Sequence, residues 1–310
     1  MVEKLAEQQW KDLAPTAKRR LVTARAIDED GQIMENVDIV PQRKQFTAAQ
    51  VVAMEERKTN GELFDKHCAD NGNFIFALFH SGITMDQQFP QITRTDMARI
   101  LYLATYIQWE TNIIKQANGR PAGRKQLARM LGMTVKRLPE FLKRVQDADI
   151  LREVDDEFIF NPGVFYRGKS TALLYDISHL SQTRVFRDTV RQLYDSFKGG
   201  RQLERLGLIY AVLPFISFNT NIISHNPEAH AEDIRPIDLS DLTHILGYAT
   251  KQKLRVALES IKLDSERIFL IIPNPHKKNS QRVAVNTRVV FAASAKTFAQ
   301  VMSQNVMFNK

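Results

Sequence analysis

Cationic side chains at helical spacing are the chemistry this sequence offers. The run Thr134-Val-Lys136-Arg137-Leu-Pro-Glu140-Phe-Leu-Lys143-Arg144 has apolar residues at 138, 141 and 142, continued by Val145. At about 100° per residue, that stripe turns Lys136, Glu140 and Lys143 to the opposite face, with Arg137 and Arg144 on the flanks. A second run, Thr250-Lys251-Gln252-Lys253-Leu-Arg-Val256-Ala-Leu-Glu259, turns Gln252, Val256 and Glu259 outward. Lys277, Lys278 and Arg282 populate a polar loop. Arg124 and Lys125 open an earlier helix, where positive charge opposes the helix's own dipole. Rows of ammonium and guanidinium groups bind phosphate, and Lys, Glu, Gln and Val side chains can read base edges. The candidate DNA-binding residues are therefore Arg124, Lys125, Thr134, Lys136, Arg137, Glu140, Lys143, Arg144, Thr250, Lys251, Gln252, Lys253, Val256, Lys277, Lys278 and Arg282.

No catalytic pattern of comparable order is present. The chain has no Gly-x-x-x-x-Gly-Lys-Ser/Thr phosphate loop, which argues against an ATPase or helicase. His179, Arg184 and Tyr194 faintly resemble a tyrosine-recombinase set, but no upstream Arg-Lys framework accompanies them. His225, His230, Glu232 and Asp233 are scattered without metal-ligand spacing. The expectation is a non-enzymatic protein with no catalytic residue, no cofactor and no metal.

The elements that must position the cations occur twice. Tyr106-Ile-Gln-Trp-Glu-Thr-Asn-Ile-Ile114 corresponds to Phe215-Ile-Ser-Phe-Asn-Thr-Asn-Ile-Ile223, and Leu127-Ala-Arg-Met-Leu-Gly-Met133 to Leu242-Thr-His-Ile-Leu-Gly-Tyr248. Thr134-Val-Lys-Arg-Leu138 corresponds to Thr250-Lys-Gln-Lys-Leu254, and Phe158-Ile-Phe-Asn161 to Val283-Ala-Val-Asn286. Four blocks in one order mark a duplicated unit. In each, a helix stops at a glycine, Gly132 or Gly247, a residue that accepts the left-handed backbone. Thr134 or Thr250 then stands as N-cap of a second helix. Strand patterns follow at Ile150–Val154 with Phe158–Phe160, and at Ile268–Ile272 with Arg282–Val285. A helix, a glycine turn, a helix and a hairpin predict a mainly α chain with small β-hairpins, made of tandem winged helix-turn-helix domains. Pro139 implies that the first recognition helix starts late or kinks. The acidic first wing, Arg152-Glu-Val-Asp-Asp-Glu157, would be repelled by phosphate and suits a basic protein surface.

The predicted organisation is an N-terminal arm, hairpin and helix over 1–71, a first winged-helix domain over 72–172, and a connecting helix with a Gly199-Gly200 hinge over 173–200. A second winged-helix domain over 201–294 and a tail over 295–310 complete it. Residues 8–14 read as a short helix ahead of Lys18-Arg-Arg20, and residues 21–40 as a hairpin. Thr47-x-x-Gln50 forms a capping box for a helix to about Lys58, and Asn73–Phe79 is a buried strand. In the connector, Phe186, Val190, Leu193 and Phe197 share one helix face and Arg184, Arg187 and Arg191 another.

Composition fits this organisation. A length of 310 residues holds two domains of roughly 100 residues, and 44% apolar content supplies their cores. A formal charge of +8 favours a polyanionic partner, double-stranded DNA. The single cysteine, Cys68, excludes a disulfide framework and fits a reducing cytoplasm. No apolar h-region opens the chain and no stretch reaches about 18 uninterrupted apolar residues, so no membrane association is expected. The expected location is the DNA of a bacterial or phage-infected cell.

Gly123-Arg-Lys-Gln-Leu-Ala-Arg-Met-Leu-Gly-Met-Thr134 and Glu157-Phe-Ile-Phe-Asn161-Pro162-Gly-Val-Phe165-Tyr-Arg167-Gly168 together resemble the winged-helix domain of firmicute plasmid and phage replication initiators. Phage transcription regulators of the same type share much of the pattern. The resemblance covers about a quarter of the chain, from near Ile92 to Lys169. In the second unit, Asn286-Thr287 replaces Asn-Pro and Ala292-Ala293 replaces Arg-Gly. It implies an extrachromosomal or prophage sequence-specific DNA-binding protein, with replication initiation at an origin, where it would position other proteins, as the first expectation. Transcriptional regulation, with transcription proteins as partners, and a protein-binding scaffold are the alternatives. The oligomeric state stays open.

Overall fold

The computed structural model describes Ala14, Gln32 and residues 47–169, 176–198, 202–274, 277 and 280–305. The readings over 8–40, Gly199-Gly200 and Lys278 lie outside these residues. The chain divides into two compact units, Met1–Glu55 and Glu56–Lys310. In the first, the described residues include the start of helix α1 (Ala48–Asp70). There the capping box forms: Thr47 N–H donates to Gln50 Oε1 at 3.0 Å, and Gln50 N–H to Thr47 Oγ1 at 3.2 Å.

In the second unit each copy of the repeat supplies its elements in a similar order. The first copy contributes β1 (Phe74–Phe79), α2 (Met85–Gln88), α3 (Arg94–Ala104), α4 (Arg124–Leu131) and α5 (Leu138–Asp147). It continues with β2 (Leu151–Val154), β3 (Glu157–Phe160) and β4 (Phe165–Tyr166). The second contributes β5 (Ser181–Phe186), α6 (Arg187–Phe197), α7 (Leu203–Val212), α8 (Leu239–Ile245) and α9 (Lys251–Glu259). It continues with β6 (Lys262–Leu263), β7 (Glu266–Arg267), β8 (Phe269–Pro273), β9 (Gln281–Val285) and β10 (Val290–Phe291), before α10 (Phe298–Asn305).

The expectation of a mainly α chain built from tandem winged helix-turn-helix domains is corrected here. Ten α-helices among the described residues account for 42% of the structure and strands for about 20%, in four small antiparallel sheets. That is a mixed α/β composition. One sheet, ordered β10-β5-β1-β4, takes two strands from each copy. Its central pairing sets Phe74 opposite Phe186 and Phe79 opposite Ser181, so each strand's first residue meets the other's last. With β4 outside β1 and β10 outside β5, the sheet is approximately twofold symmetric. The expected connecting helix begins only at Arg187, because Arg184–Phe186 belong to β5.

On one face of the sheet, Ile75, Ala77, Phe79, Val185 and Val290 join a continuous apolar core with α3 and α7. These two helices meet closely: a Cβ added at Gly207 would stand 2.0 Å from the Arg94 carbonyl oxygen, so only glycine fits. On the other face, Phe186 and Phe291 pack with Phe64 and Cys68 of α1 and with Phe298 and Val301 of α10.

The duplicated Thr-Asn-Ile-Ile sequence closes each copy. Asn112 and Asn221 are buried and left-handed, with φ of 55° and 57°. Asn112 Nδ2 donates to the carbonyls of Phe165, at 2.7 Å, and Phe160, while its Oδ1 accepts from Arg167 N–H. Asn221 repeats this: Nδ2 donates to Val290 O at 2.6 Å and Val285 O at 3.1 Å, and Oδ1 accepts from Ala292 N–H. Each asparagine thus ties the turn after α3 or α7 to the hairpin and to the outer strand of the shared sheet. Replacing either by Ala strands buried backbone groups and places a Cβ-bearing residue without local hydrogen bonds at positive φ. A loss of roughly 3 kcal/mol is expected. Urea unfolding should rank wild type above Asn→Gly, which keeps the backbone but loses the bonds, and Asn→Gly above Asn→Ala; wild-type midpoints for the alanine variants would refute the clamp.

Candidate nucleic-acid interface

Within the first copy, α4 presents Leu127, Ala128 and Leu131 to the core and ends at Gly132 (φ 63°, ψ 31°), whose N–H returns to Ala128 and Arg129 carbonyls. The following turn contains Thr134, Val135, Lys136 and Arg137, all exposed. Thr134 is not the N-cap: its backbone carbonyl accepts from Arg137 and Leu138 N–H, and α5 begins at Leu138. Pro139 therefore falls in the first turn, where its missing N–H has no intrahelical acceptor to lose. Late start, not kink, resolves the proline. Leu138, Phe141, Leu142 and Val145 are buried, leaving Glu140 and Lys143 exposed.

Arg144 is placed differently from the other cations of α5. Its Nε and Nη2 donate to both carboxylate oxygens of Asp96, at 2.8 and 3.1 Å. Asp96 is fully buried and also receives Thr93 Oγ1 and Arg99. Burial alone would raise its pKa. The hydrogen bonds from Arg144 and Thr93, with the charges of Arg144 and Arg99, outweigh burial and hold the carboxyl below its ordinary 3.8. Arg144 thus fixes α5 to the start of α3. Arg124 is also paired, through Nε and Nη2 to Glu153 of the first hairpin at 2.8 and 2.5 Å. The acidic hairpin therefore meets a cation of its own copy. Its turn, Asp155-Asp156, has both residues at positive φ (50° and 62°), the geometry of a tight hairpin turn. Lys125, Lys136, Arg137 and Lys143 have no carboxylate partner among the described residues.

The second copy carries fewer exposed cations. Asp238 caps α8 through Ser240 N–H at 2.8 Å and also accepts from Gln281 N–H and Ser280 Oγ. These bonds outweigh burial and hold its carboxyl down to about 2. Here Thr250 is the N-cap, accepting from Lys253 N–H at 3.2 Å. Leu254, Ala257 and Leu258 are buried, Lys251 is half-buried, and Gln252, Lys253 and Val256 are exposed. Val256, at 47% exposure, is an apolar side chain held in solvent. Arg255, beside them, is paired with Gln281 and Glu259. Lys277 is exposed in the loop between β8 and β9. Arg282 is half-buried on β9, and its Nε meets no acceptor.

The roles of three residues at or beneath this surface are not legible in the sequence. Asp96 sits three positions after Thr93, a Thr-x-x-Asp spacing that signals a capped helix start, although nothing local identifies Arg144 as its partner. Glu153 was legible only as a repelling charge. Val135, 59% exposed between Thr134 and Lys136, is set at the entrance to α5. The tyrosine and histidines considered for catalysis are dispersed: Tyr194 is buried, stacked on Tyr102, and donates to Leu131 O. Among the described residues no group of three or more His, Cys, Asp or Glu side chains could hold a metal ion. No helix among them is long and apolar enough to cross a membrane. No family model, curated protein or solved structure matches the chain.

Asp96→Asn removes the charge that Arg144 needs while keeping the shape. Because the folded pKa is depressed, the carboxylate contributes stability above its unfolded value near 3.8 and loses it as pH falls through the folded value. At neutral pH the variant should be less stable by roughly 3 kcal/mol, since Arg144 is left half-buried and unpaired. Denaturation series should show that gap closing below about pH 4; a gap independent of pH would remove the ion pair as its cause.

Proposed function

We propose that the chain binds double-stranded DNA by sequence and acts as a replication initiator of the plasmid or phage kind, holding other proteins at an origin. The observation that carries this reading is the exposed row Lys136, Arg137 and Lys143, free of carboxylate partners at and beside the start of a short helix, with Glu140 among them. Two helix–glycine–helix segments supply this row in the first copy and a second surface with Gln252, Lys253 and Val256 exposed in the other. The initiator role rests on the likeness of Asn161-Pro162…Arg167-Gly168. Asn161 Oδ1 accepts from Gly163 N–H, and Arg167 donates to Ile107 O at 3.1 Å. The motif thus closes the first copy.

Seven cations would face phosphate in this reading: Lys125, Arg137, Lys143, Lys251, Lys253, Lys277 and Arg282. If each neutralises one phosphate, log affinity should fall with log salt at a slope of about −6, and Lys143→Ala should reduce it by about one. A flat salt response measured by fluorescence anisotropy would reject the reading and favour a protein-binding scaffold.

The outward positions of the two copies differ in chemistry. Lys136 and Glu140 suit guanine acceptors and the cytosine amine, whereas Gln252 and Val256 suit the adenine edge and the thymine methyl. Selection from random duplexes should therefore return an asymmetric site with a G·C-rich and an A·T-rich half. Lys136→Ala should relax the first half and Gln252→Ala the second, each by about 1–3 kcal/mol of discrimination. Two identical half-sites would contradict this division. A plasmid carrying the gene and the selected site should replicate and lose replication with Lys136→Ala; control of a reporter without replication would assign the chain to transcription instead.

A further inference from the structure

Asn286 corresponds to Asn161, but Thr287-Arg288 follow it where the first copy has Pro162-Gly163. At that departure the second copy receives α1 and α10. His67 of α1, buried within the second unit, sets Nε2 3.0 Å from Thr287 O. Thr287 Oγ1 donates to Met302 Sδ of α10, and Arg288 Nε donates to Asn71 Oδ1 at 3.3 Å. The His67 ring stands edge-on to Phe186 of β5 at 4.8 Å between centres, and 5.0 Å from the Phe298 ring of α10. One imidazole thus joins α1, the sheet, α10 and the turn before β10.

Its partners fix its protonation. A carbonyl only accepts, so Nε2 carries a hydrogen and donates to Thr287 O. Arg288 only donates, so the Asn71 atom it meets is the amide oxygen, which Thr189 Oγ1 also reaches at 3.1 Å. The other Asn71 atom is then the nitrogen, which donates to His67 O at 2.8 Å and lies 3.4 Å from His67 Nδ1. Nδ1 therefore faces a donor. The neutral ring satisfies this arrangement, whereas a proton on Nδ1 would oppose N–H to N–H between two phenylalanine rings.

The surrounding charges do not reverse that preference. Arg288 opposes a positive ring, while Asp70 at the end of α1 and Glu266 of β7 favour one; Glu266 is itself paired with Arg288. β5 brings Arg184, whose guanidinium lies over the rings of Phe64 and Phe291, and α6 brings Asp188, whose N–H donates to Asn71 O at 3.1 Å. α10 contains no charged residue. Burial outweighs the bond to Thr287 and the two carboxylates, and holds His67 below its ordinary 6.5. With the folded value lowered, the contacts keep their full strength above about pH 6.5 and weaken as pH falls towards the folded value.

We propose that His67 is a pH-sensitive latch: neutral, it locks residues 64–70 and α10 onto the second copy, and protonated, it releases them and uncovers Phe186 and Phe291. The latch is separate from the DNA-binding reading and stands or falls without it. Each pH unit below about 6.5 should multiply the open population by about ten until the folded value is reached.

Hydrogen–deuterium exchange of the full chain, corrected for the intrinsic pH dependence of amide exchange, reads this opening. Residues 64–70 and α10 should lose protection between about pH 6.5 and 5 while α3 and α7 keep theirs. His67→Gln takes up no proton, so its protection should not change across that range. Asn71→Asp offers Nδ1–H an acceptor, so it should abolish or reverse the loss. Should either variant fail to fold, NMR titration of the wild-type imidazole nitrogens decides, with a neutral ring protonated on Nε2 expected at pH 6.5. Protection independent of pH in the wild type, an equal loss in α3 and α7, the same loss in His67→Gln, or a charged ring at pH 6.5 would overturn the latch.

Discussion

Asn112 and Asn221 are the residues through which each copy becomes a closed unit. A left-handed backbone at a turn is costly for most side chains, and asparagine tolerates it because its amide can bond locally. Here the amide does more. It reaches the last residue of β3 or β9 and the outer strand β4 or β10 at once, so a change in any one would unbalance the other two. The following isoleucines exploit the geometry: Ile114 N–H donates to Phe158 O and Ile223 N–H to Val283 O, adding a third extended segment to each hairpin. Because β4 and β10 are the outer strands of the common sheet, the two clamps also fix how far that sheet extends. The twofold pairing of β1 with β5 then makes one body of the two copies.

That dependence explains which features could be read in advance. Gly132 and Gly247 end helices, four-residue apolar stripes bury themselves, and Phe74–Phe79 forms a strand, because each signal is local and periodic. The outer strands were invisible: two residues carry no period, and their pairing spans more than 80 residues in Phe76 with Tyr166 and more than 100 in Val185 with Val290. The fold class failed for the same reason, since the sheet exists only once the copies meet. Thr134 failed as a cap because Pro139 is better placed in the first turn of a helix that starts at Leu138. Among candidate contacts, Lys143 points outward as the helical period requires and Lys136 and Arg137 are exposed in the turn before α5, whereas Arg144 and Arg124 turn to Asp96 and Glu153. These partners lie 48 and 29 residues away, and no spacing rule connects them.

The net charge of +8 is correspondingly a poor measure of the surface available to a polyanion. Arg187 and Arg191 donate to the Thr105 carbonyl just past the end of α3, where the helix dipole is negative, and Arg191 also covers the Tyr106 ring. Burial, followed by the charges of Arg167 and Arg191, brings Arg187 down to about 10. Arg184 lies among phenylalanines. The arginines expected on a connector therefore cap a helix and brace a sheet, and the exposed cations include Lys125, those of α5 and its preceding turn, and Lys253 of α9, together with Arg57, Lys66, Arg120, Arg129, Arg235 and Lys262.

Duplication makes the division between scaffold and surface visible within one chain. Positions that the two copies share are those the fold requires: the left-handed asparagines, the left-handed glycines, the isoleucines of the third segment, and Asn161 and Asn286, which each accept a backbone N–H two residues on. Positions that face solvent on α5 and α9 differ in charge and in shape. A symmetric sheet holding two unlike surfaces would constrain any partner of both more than two independent copies would, because the approximate dyad fixes the relation between the copies. Ordering the two units therefore adds no further entropic cost on association, and a partner must match both surfaces at one spacing or engage only one of them.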